Sequence, residues 1–409
     1  MSQTISPTAV RRMSLGGVLS YAWDAEVFTA SDAMASVGLT RSTMIDVIEE
    51  LVEAGLLDEL ENARAVGGYR KGRPARRFRL RADAAVVVGI DLAPDHIVTA
   101  VTDLRGEVIV RHSSHTDLAH DSPRERREAA ASAVDDALHA AGRTRADVLA
   151  LCAGVPAPVD AHGASPAHRN GFWRRMNPDL AEMFGAWAPL VRIVNDAALA
   201  AVAEESVGAA RGVSDHVTVL CGRFLGAGVV VDGNLLRGAH GGVAEMVAFD
   251  HVAGVEDASG LGERVAQWAR AAVETGAVSP GGTLTRLNPS EITAELVFRL
   301  AREADPDAAE IVERAGRALS IITAVLGSLF DPRRVVVSGM DATEAAQLVA
   351  AARGSVPLEL DLPAPELVAS ELGPDVICIG AVSAALDAAR AGVLDLGDDE
   401  RPLSLRRAG

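Results

Sequence analysis

Two kinds of hydrophobic spacing divide the chain near residue 82. Between residues 44 and 52 the apolar positions follow the i, i+3, i+4, i+7, i+8 interval that places side chains on one face of a helix. These positions are Met44, Val47, Ile48, Leu51 and Val52. After residue 83, short apolar runs such as AVVVGIDL are separated by polar turns, which predicts β-strands. The pattern therefore predicts a helical head followed by a larger body of strands and helices.

The head carries start and stop signals for two consecutive helices. Thr29 precedes a short helical stretch with Asp32 three positions later, so hydroxyl and carboxylate can cap each other's backbone donors. Gly38 provides a turn, Thr40 opens the second helix and Gly55 ends it. Two helices joined by a glycine turn are typical of a helix-turn-helix, whose second helix presents its N-terminus to DNA base edges.

Charge is distributed unevenly along the chain. The net charge is -17, yet residues 1–81 contain 11 basic and 10 acidic residues, and residues 62–82 contain eight basic residues and no acid. Segments 56–60 and 76–80 can pair as strands around this basic loop, which predicts a DNA-binding wing. The alternative is an ordinary pair of helices followed by a solvated loop. The predicted DNA contacts are Thr40, Arg41, Ser42, Thr43, Arg70, Lys71, Arg73, Arg76 and Arg77.

The body is predicted to consist of two α/β lobes. Three strands follow residue 84, then a helix over 122–141 and a strand over 148–159 that ends in a proline-rich loop. A second set is predicted to begin at Val191 and to end in a long helical region before the strand RRVVVSGM. Two such halves around a cleft are typical of the actin-like, sugar-kinase ATPase fold. The predicted domains are 1–82 (winged helix-turn-helix), 83–196 with 380–396 (first lobe), 197–379 (second lobe and dimerisation region) and 397–409 (tail).

Several segments in this order resemble the ROK family, which groups bacterial repressors, uncharacterised reading frames and sugar kinases. They are GIDLAPDHIVTAVTDLRGEVI, GVPAPVD, VRIVNDAALAAVAEESVGAARGV, GAGVVVDGNLLRGAHGGVAE, VVVSGM and IGAVSAAL. The resemblance extends over residues 84–394. The winged helix upstream resembles that of the repressor branch of the family.

The resemblance implies phosphate-binding loops that this chain has altered. An ATP-using member has GxDxGGTK at the first strand turn, where glycine N–H groups approach phosphate oxygens. Here the stretch reads GIDLAPDH, so Ala93 and Pro94 replace the glycines, Asp95 adds negative charge, and only Asp91 is kept. In the second loop, bulky Phe224 occupies a position where the family has a small residue. We therefore expect no ATP-dependent phosphoryl transfer.

The sugar side of the implied site is better preserved. The catalytic aspartate of the family matches Asp196, preceded by Asn195, and the glutamate of the ExGH motif matches Glu245. The histidine of that motif, which in the family contacts sugar and binds zinc, is Ala248 here, and no cysteine lies in the following loop. Glu263 matches the last glutamate of the zinc motif. We therefore expect that no zinc is bound. We also expect a sugar or other metabolite to bind at the four matching polar residues, Asn195, Asp196, Glu245 and Glu263. The alternatives are that Asn195 and Asp196 only cap a helix and that Glu245 only lines a polar cleft.

The sequence thus predicts a DNA-binding transcriptional regulator of the ROK type, acting as a repressor, with a degenerate kinase-like domain that binds a small effector and neither ATP nor zinc. Its expected partners are an operator in double-stranded DNA, a small effector, and further copies of the chain in a homodimer or homotetramer. No apolar stretch reaches the roughly 20 residues of a membrane span, so a cytoplasmic protein is expected. The alternatives are a sugar kinase with an added DNA-binding head and a ligand-independent regulator with a vestigial cleft.

Overall fold

The computed structural model describes residues 6–61, 75–115, 122–167, 171–355 and 363–405. The N-terminal part forms a head of three helices and one small sheet. Its elements are α1 (Pro7–Asp24), β1 (Phe28–Thr29), α2 (Ala30–Val37), α3 (Arg41–Glu53), β2 (Leu57–Leu60) and β3 (Arg77–Leu80). The strands are antiparallel in the order β1-β3-β2. This is the arrangement of a winged helix-turn-helix.

Local sequence signals define the helices of the head. Thr29 and Asp32 form the predicted capping box, and Gly38 adopts a left-handed conformation with φ 75° where α2 ends. The apolar face predicted for α3 is buried from Met44 to Leu51. Helix α1 was not among the predicted elements; it begins where Ser6 accepts a hydrogen bond from the Ala9 amide at 3.2 Å.

The first lobe is built on a five-stranded sheet covered by helices. Its elements up to residue 195 are β4 (Val86–Leu92), β5 (His96–Thr102), β6 (Val108–His115), α4 (Pro123–Ala140), β7 (Val148–Val155), α5 (Phe172–Met176), α6 (Leu180–Gly185) and β8 (Leu190–Asn195). The strand order is β6-β5-β4-β7-β8, with the last three strands parallel. The prediction that a second set begins at Val191 is wrong, because this strand pairs with β7 and completes the first sheet.

The second lobe has its own five-stranded sheet. Its elements are α7 (Asp196–Ser206), β9 (His216–Leu220), β10 (Gly226–Val231), β11 (Asn234–Leu235), α8 (Leu261–Thr275), α9 (Ala294–Arg302), α10 (Pro306–Phe330), β12 (Arg334–Ser338), α11 (Ala342–Arg353) and β13 (Glu366–Ala369). The strand order is β11-β10-β9-β12-β13. The lobes resemble each other in that each sheet joins an antiparallel hairpin to parallel strands, which agrees with the predicted fold class.

The last helix, α12 (Val376–Gly392), returns to the first lobe and lies against β4 and β7. It also packs on α7, which contacts β9 and β10 of the second lobe. The two helices cross closely at Gly380, where an added Cβ would lie only 2.0 Å from the Leu199 carbonyl oxygen. Any larger residue would force the helices apart, so the contact requires glycine.

The head is packed against the first lobe through a shared hydrophobic core. One cluster joins Trp23 and Leu56 of the head to Leu104 of the lobe and to Val393 and Leu405 near the C-terminus. Leu405 is completely buried, although the segment after residue 396 was predicted to be a tail. None of the described helices is long and apolar enough to cross a membrane.

Polar contacts reinforce this junction. The Arg105 guanidinium donates to the carbonyl oxygens of Trp23 at 3.0 Å and Ala25 at 2.7 Å, at the C-terminal end of α1. The Trp23 indole donates to the Leu104 carbonyl, and Arg390 of α12 lies 3.4 Å from Asp24. Because apolar and polar contacts coincide here, the head and first lobe are one packed unit.

Candidate DNA-binding head and interlobe cleft

The exposed end of α3 holds four of the predicted DNA contacts. Thr40 is the N-cap residue, and its hydroxyl oxygen accepts from the Thr43 amide at 3.4 Å and lies 2.9 Å from the Thr43 hydroxyl. Arg41 and Ser42 are exposed in the first turn, beside Thr40. Backbone donors and short polar side chains at a helix N-terminus are suited to phosphate oxygens and base edges.

The predicted wing residues occupy different environments. Arg70, Lys71 and Arg73 lie outside the described residues, so their DNA contacts stay predictions. Arg77 is half-buried in β3, opposite Leu60. The Arg76 guanidinium is hydrogen-bonded to two carboxylates of the head itself, those of Glu49 and Glu59.

A cavity of about 170 Å³ lies between the lobes. Aromatic side chains and three of the predicted ligand residues line it: Phe172, Trp173, Phe224, Asn195, Asp196 and Glu245. Asn195 ends β8 and Asp196 begins α7, so the strand-to-helix junction delivers both to the cavity. The structure thus brings the predicted Asn-Asp pair and Glu245 to one place.

The Asn195 side chain is already occupied by backbone groups. Its Oδ1 accepts from the Ala198 amide at 3.1 Å, and its Nδ2 donates to the Ala157 carbonyl oxygen at 3.2 Å. Asn195 is therefore the N-cap of α7 and ties this helix to the loop after β7. The capping role weighed as an alternative for this residue is present in the structure, and it leaves ligand contacts mainly to its neighbour.

The acidity of Asp196 is altered by its place at the cavity. Its Oδ1 accepts from the Ala197 amide at 2.7 Å, which favours the carboxylate. Burial, together with the nearby carboxylates of Asp91 and Glu245, outweighs that bond and raises the pKa of Asp196 to about 7. At neutral pH the group is divided between acid and carboxylate, so it can donate a hydrogen bond to a ligand hydroxyl as well as accept one.

The two predicted glutamates lie in different places. Glu245 borders the cavity with Asp196. Glu263 instead faces a separate open groove of about 530 Å³, where its Oε1 accepts from Gln267 at 3.2 Å and lies 3.6 Å from the Arg270 guanidinium. The structure therefore does not bring Glu263 to the cavity that contains Asn195, Asp196 and Glu245.

The altered phosphate turn between β4 and β5 contains a chain of charged groups. Asp95 accepts from the Arg223 guanidinium of the other lobe at 2.7 Å and from His96 at 2.9 Å. His96 also lies 3.4 Å from buried Asp91. Sequence reasoning had not selected Arg223 or His96, and the 128 positions between Arg223 and Asp95 carry no local signal of the contact.

The environment of this turn changes the pKa values of His96, Asp95 and Asp91. The hydrogen bond to Asp91 and the charge of Asp95 raise the pKa of His96 to about 9. Partial burial acts to raise the pKa of Asp95, but the hydrogen bonds from Arg223 and His96 prevail and lower it. Burial raises the pKa of Asp91. At neutral pH, charged His96 and Arg223 therefore neutralise Asp95 at the bend.

Phe224 adds an aromatic contact next to the ion pair. Its ring centroid lies 6.3 Å from that of Phe172, which belongs to the first lobe. Phe224 also borders the cavity and the open groove, so it separates the two spaces. Arg223 and Phe224 are consecutive residues of the second altered loop, and each contacts the opposite lobe.

Within the described part of the chain, no group of three or more histidine, cysteine, aspartate or glutamate side chains is placed to hold a metal ion. His251, in the loop that the resemblance aligns with a zinc motif, is exposed. The three cysteines, Cys152, Cys221 and Cys378, are buried in separate places, and burial raises the pKa of each thiol to about 12.

Sequence comparisons find bacterial regulators. The chain is 24% identical over 332 residues to a xylose repressor of Caldicellulosiruptor bescii, covering 78% of this chain and 81% of that protein. It is 25% identical over 325 residues to the DNA-binding transcriptional repressor Mlc of Escherichia coli, covering 76% of each.

Structural comparisons give the same fold with and without the head. A crystal structure of a ROK family transcriptional regulator, a homologue of E. coli Mlc, matches with a TM-score of 0.72 and 20% identity over 94% of this chain and 98% of that one. A ROK family glucokinase of Streptomyces griseus, solved with glucose and AMPPNP, matches with a TM-score of 0.59 and 24% identity over 74% of this chain and its own full length. Residues 87–387 match the sequence profile of the ROK family, and the chain belongs to that family.

Proposed function

We propose that this protein is a DNA-binding transcriptional regulator, a repressor, whose kinase-like body binds a small effector and transfers no phosphoryl group. The observation that carries the proposal is the capped, exposed N-terminus of α3 in a winged helix-turn-helix. Relatives named as repressors support it, since they align over about three quarters of the chain. A homodimer acting on DNA in the cytoplasm fits this proposal, because two heads can then bind two half-sites.

The phosphate turn supports a regulator over a kinase. Pro94 offers no backbone N–H, and Asp95 places its carboxylate at the bend. The ion pair from Asp95 to Arg223 spans the lobes at the point where the family places phosphate oxygens. A nucleoside triphosphate would have to draw Arg223 away from Asp95, which would leave His96 as the one described cation in contact with Asp91 and Asp95. We therefore propose that neither ATP nor zinc is a cofactor.

A sugar or similar polyol is the effector that we propose for the cavity. Asp196 can donate and accept hydrogen bonds near neutral pH, Glu245 can accept, and Trp173 offers an apolar ring surface. These groups suit a small molecule with several hydroxyls. With no nucleotide beside it, Asp196 would bind such a hydroxyl without acting as a catalytic base.

Packing offers a route from the cavity to the head. Helix α7 begins at Asp196 and is in close contact with α12 at Gly380. Helix α12 in turn ends beside the head, where the Arg390 guanidinium lies 5.5 Å from the Trp23 ring centroid. A ligand that favours one position of α7 would change the arrangement of the two lobes, and the head, which is packed on the first lobe, would move with that lobe. The population shifts only as far as the ligand binds one arrangement more tightly.

Two assays on the purified full chain test the proposal. Selection from fragmented genomic DNA of its own organism, followed by mobility-shift measurements, should yield a defined operator. Arg41→Ala should relax the sequence preference, since Arg41 lies at the exposed start of α3. Arg299→Ala, an exposed arginine of the second lobe, is the matched control and should bind the operator normally.

The second assay measures ATP consumption with a panel of hexoses. We expect no turnover, and thermal-shift stabilisation by at least one sugar of the panel. Hexose phosphorylation that disappears in Asp196→Asn would instead identify a sugar kinase with an added head. A selected operator whose binding responds to no sugar or cell extract would favour a ligand-independent regulator.

A further inference from the structure

One arginine connects the base of the wing, formed by strands β2 and β3, to α3, the second helix of the helix-turn-helix. The Nε and Nη2 of Arg76, just before β3, donate to the two carboxylate oxygens of Glu59 in β2 at 2.8 and 2.7 Å. Its Nη1 donates to Glu49 of α3 at 2.8 Å. The guanidinium carbon lies 5.3 Å from the ring centroid of Phe78, a buried residue of β3 that packs against Phe28. One planar group therefore joins helix, strand and core.

A second arginine holds the same helix from its other side. The Nε and Nη2 of Arg11 in α1 donate to Glu50 at 2.9 and 2.6 Å, and Nη2 also donates to the Asp46 carbonyl oxygen at 3.2 Å. Glu49 and Glu50 are consecutive, so the C-terminal half of α3 is held by arginines from two directions. The N-terminal turn around Arg41 points away from these contacts and stays exposed.

The charges around Arg76 do not suit a phosphate contact. One guanidinium faces two carboxylates, which gives the group a net charge of about -1 near neutral pH. The hydrogen bonds from Arg76 lower the pKa of Glu59, and the carboxylates raise the pKa of Arg76 above its usual range, so the pair of Arg76 and Glu59 stays ionised. To reach a phosphate, Arg76 would have to leave Glu49 and Glu59 unpaired beside the DNA backbone.

We propose that Arg76 is a positioning residue, which fixes strands β2 and β3, the base of the wing, against α3 and does not itself contact DNA. This inference rests on the proposed DNA-binding function. In the sequence, Arg70, Lys71 and Arg73 lie between β2 and β3, the two strands that Arg76 holds against α3. Two N–H groups of Arg76 bind Glu59 and a third binds Glu49, so the planar guanidinium fixes the position of the strands relative to α3. A charge without this planar geometry would not fix it.

Glu59→Gln distinguishes the two roles of Arg76 by the sign of its effect. The probe is a fluorescent 40-base-pair duplex of random sequence, and its dissociation constant from the full chain is measured by anisotropy between 50 and 200 mM NaCl. If Arg76 positions the wing, Glu59→Gln weakens binding about threefold to tenfold although it removes a negative charge. The slope of log affinity against log salt concentration also becomes less steep, by about 1 to 2, because basic residues of the wing lose their contacts with phosphates.

Arg76→Lys provides the second readout. Lysine keeps the charge but cannot bridge two carboxylates in one plane, so positioning predicts the same loss as in Glu59→Gln. Arg79→Lys is the matched control, since Arg79 lies three residues further on, in β3, and its contacts with described residues are at 3.4 Å, to Asp58. The control should bind within a factor of two of the unmodified chain.

Three results would overturn the inference. Tighter binding by Glu59→Gln would show that Arg76 is held back from DNA by its carboxylate partner. Unchanged affinity and slope in Arg76→Lys would identify a charge contact, and a change in melting temperature alone would leave only a structural role. In each of these cases the unmodified chain still binds the duplex and the proposed function stands; absence of binding at 50 mM NaCl would instead overturn that function, and this inference with it.

Discussion

Replacing Asp196 by asparagine should stabilise the protein at alkaline pH. The pKa of this carboxyl is raised from 3.8 to about 7 in the folded protein, so the folded state binds more protons than the unfolded state between these values. Its contribution to stability is therefore favourable at low pH and is lost as pH rises toward 7. Three pKa units correspond to about 4 kcal/mol, and because Asp196 is only partly shielded from solvent we expect about 1 to 3 kcal/mol.

The measurement is the thermal unfolding temperature of Asp196→Asn and of the unmodified chain from pH 4 to 8.5. The variant should melt at a higher temperature at pH 8, by about 2–4 °C for each kcal/mol, and the difference should vanish near pH 4. Asp215→Asn is the control with opposite sign, since the Asp232 amide donates to half-buried Asp215 at 2.8 Å and lowers its pKa. Parallel pH profiles for Asp196→Asn and the unmodified chain would refute the assigned cause.

Two further predictions concern the contacts that hold the parts together. Asp95→Asn and Arg223→Gln should each lower stability by about 0.2 to 1 kcal/mol. In a double-mutant cycle measured by urea unfolding, the double variant should lose less than the sum of the two single variants, and additive losses would contradict a direct interlobe bond. Leu405→Ala should lower the free energy of unfolding by about 2 to 4 kcal/mol and make the head susceptible to limited proteolysis. The control, Leu329→Ala, changes a side chain that is 68% exposed and should have little effect. Equal effects of the two variants would argue against the shared core.

Local sequence signals indicate all three helices of the head, although only two of them were predicted. The capping box of Thr29 and the turn at Gly38 are local signals, and the structure confirms both. Helix α1 has an equally regular buried face, with the i, i+3, i+4, i+7, i+8 spacing in Leu15, Val18, Leu19, Ala22 and Trp23. Its start is also marked by Ser6 followed by proline, so the same rules would have predicted it.

In the cleft, the sequence predicts changes within one turn but not contacts between the lobes. The damaged phosphate turn is visible in the replacement of glycine by Pro94, because backbone chemistry belongs to the residue itself. The partner of Asp95 is not visible, because Arg223 lies in another lobe and reaches it only through the fold. Likewise, Glu263 aligned with a ligand motif, but the path of its helix placed it in a different groove from Asp196.

Burial of Leu405 in the core of the head has a consequence for synthesis of the chain. The head is encoded in the first 82 residues, yet its core is complete only after residue 405 has left the ribosome. Domains at the N-terminus generally fold first during translation, so this head would remain partly open until the body had formed. In a nascent chain, α3 would thus become fully packed only together with the kinase-like body. Incomplete chains would therefore be kept from occupying an operator.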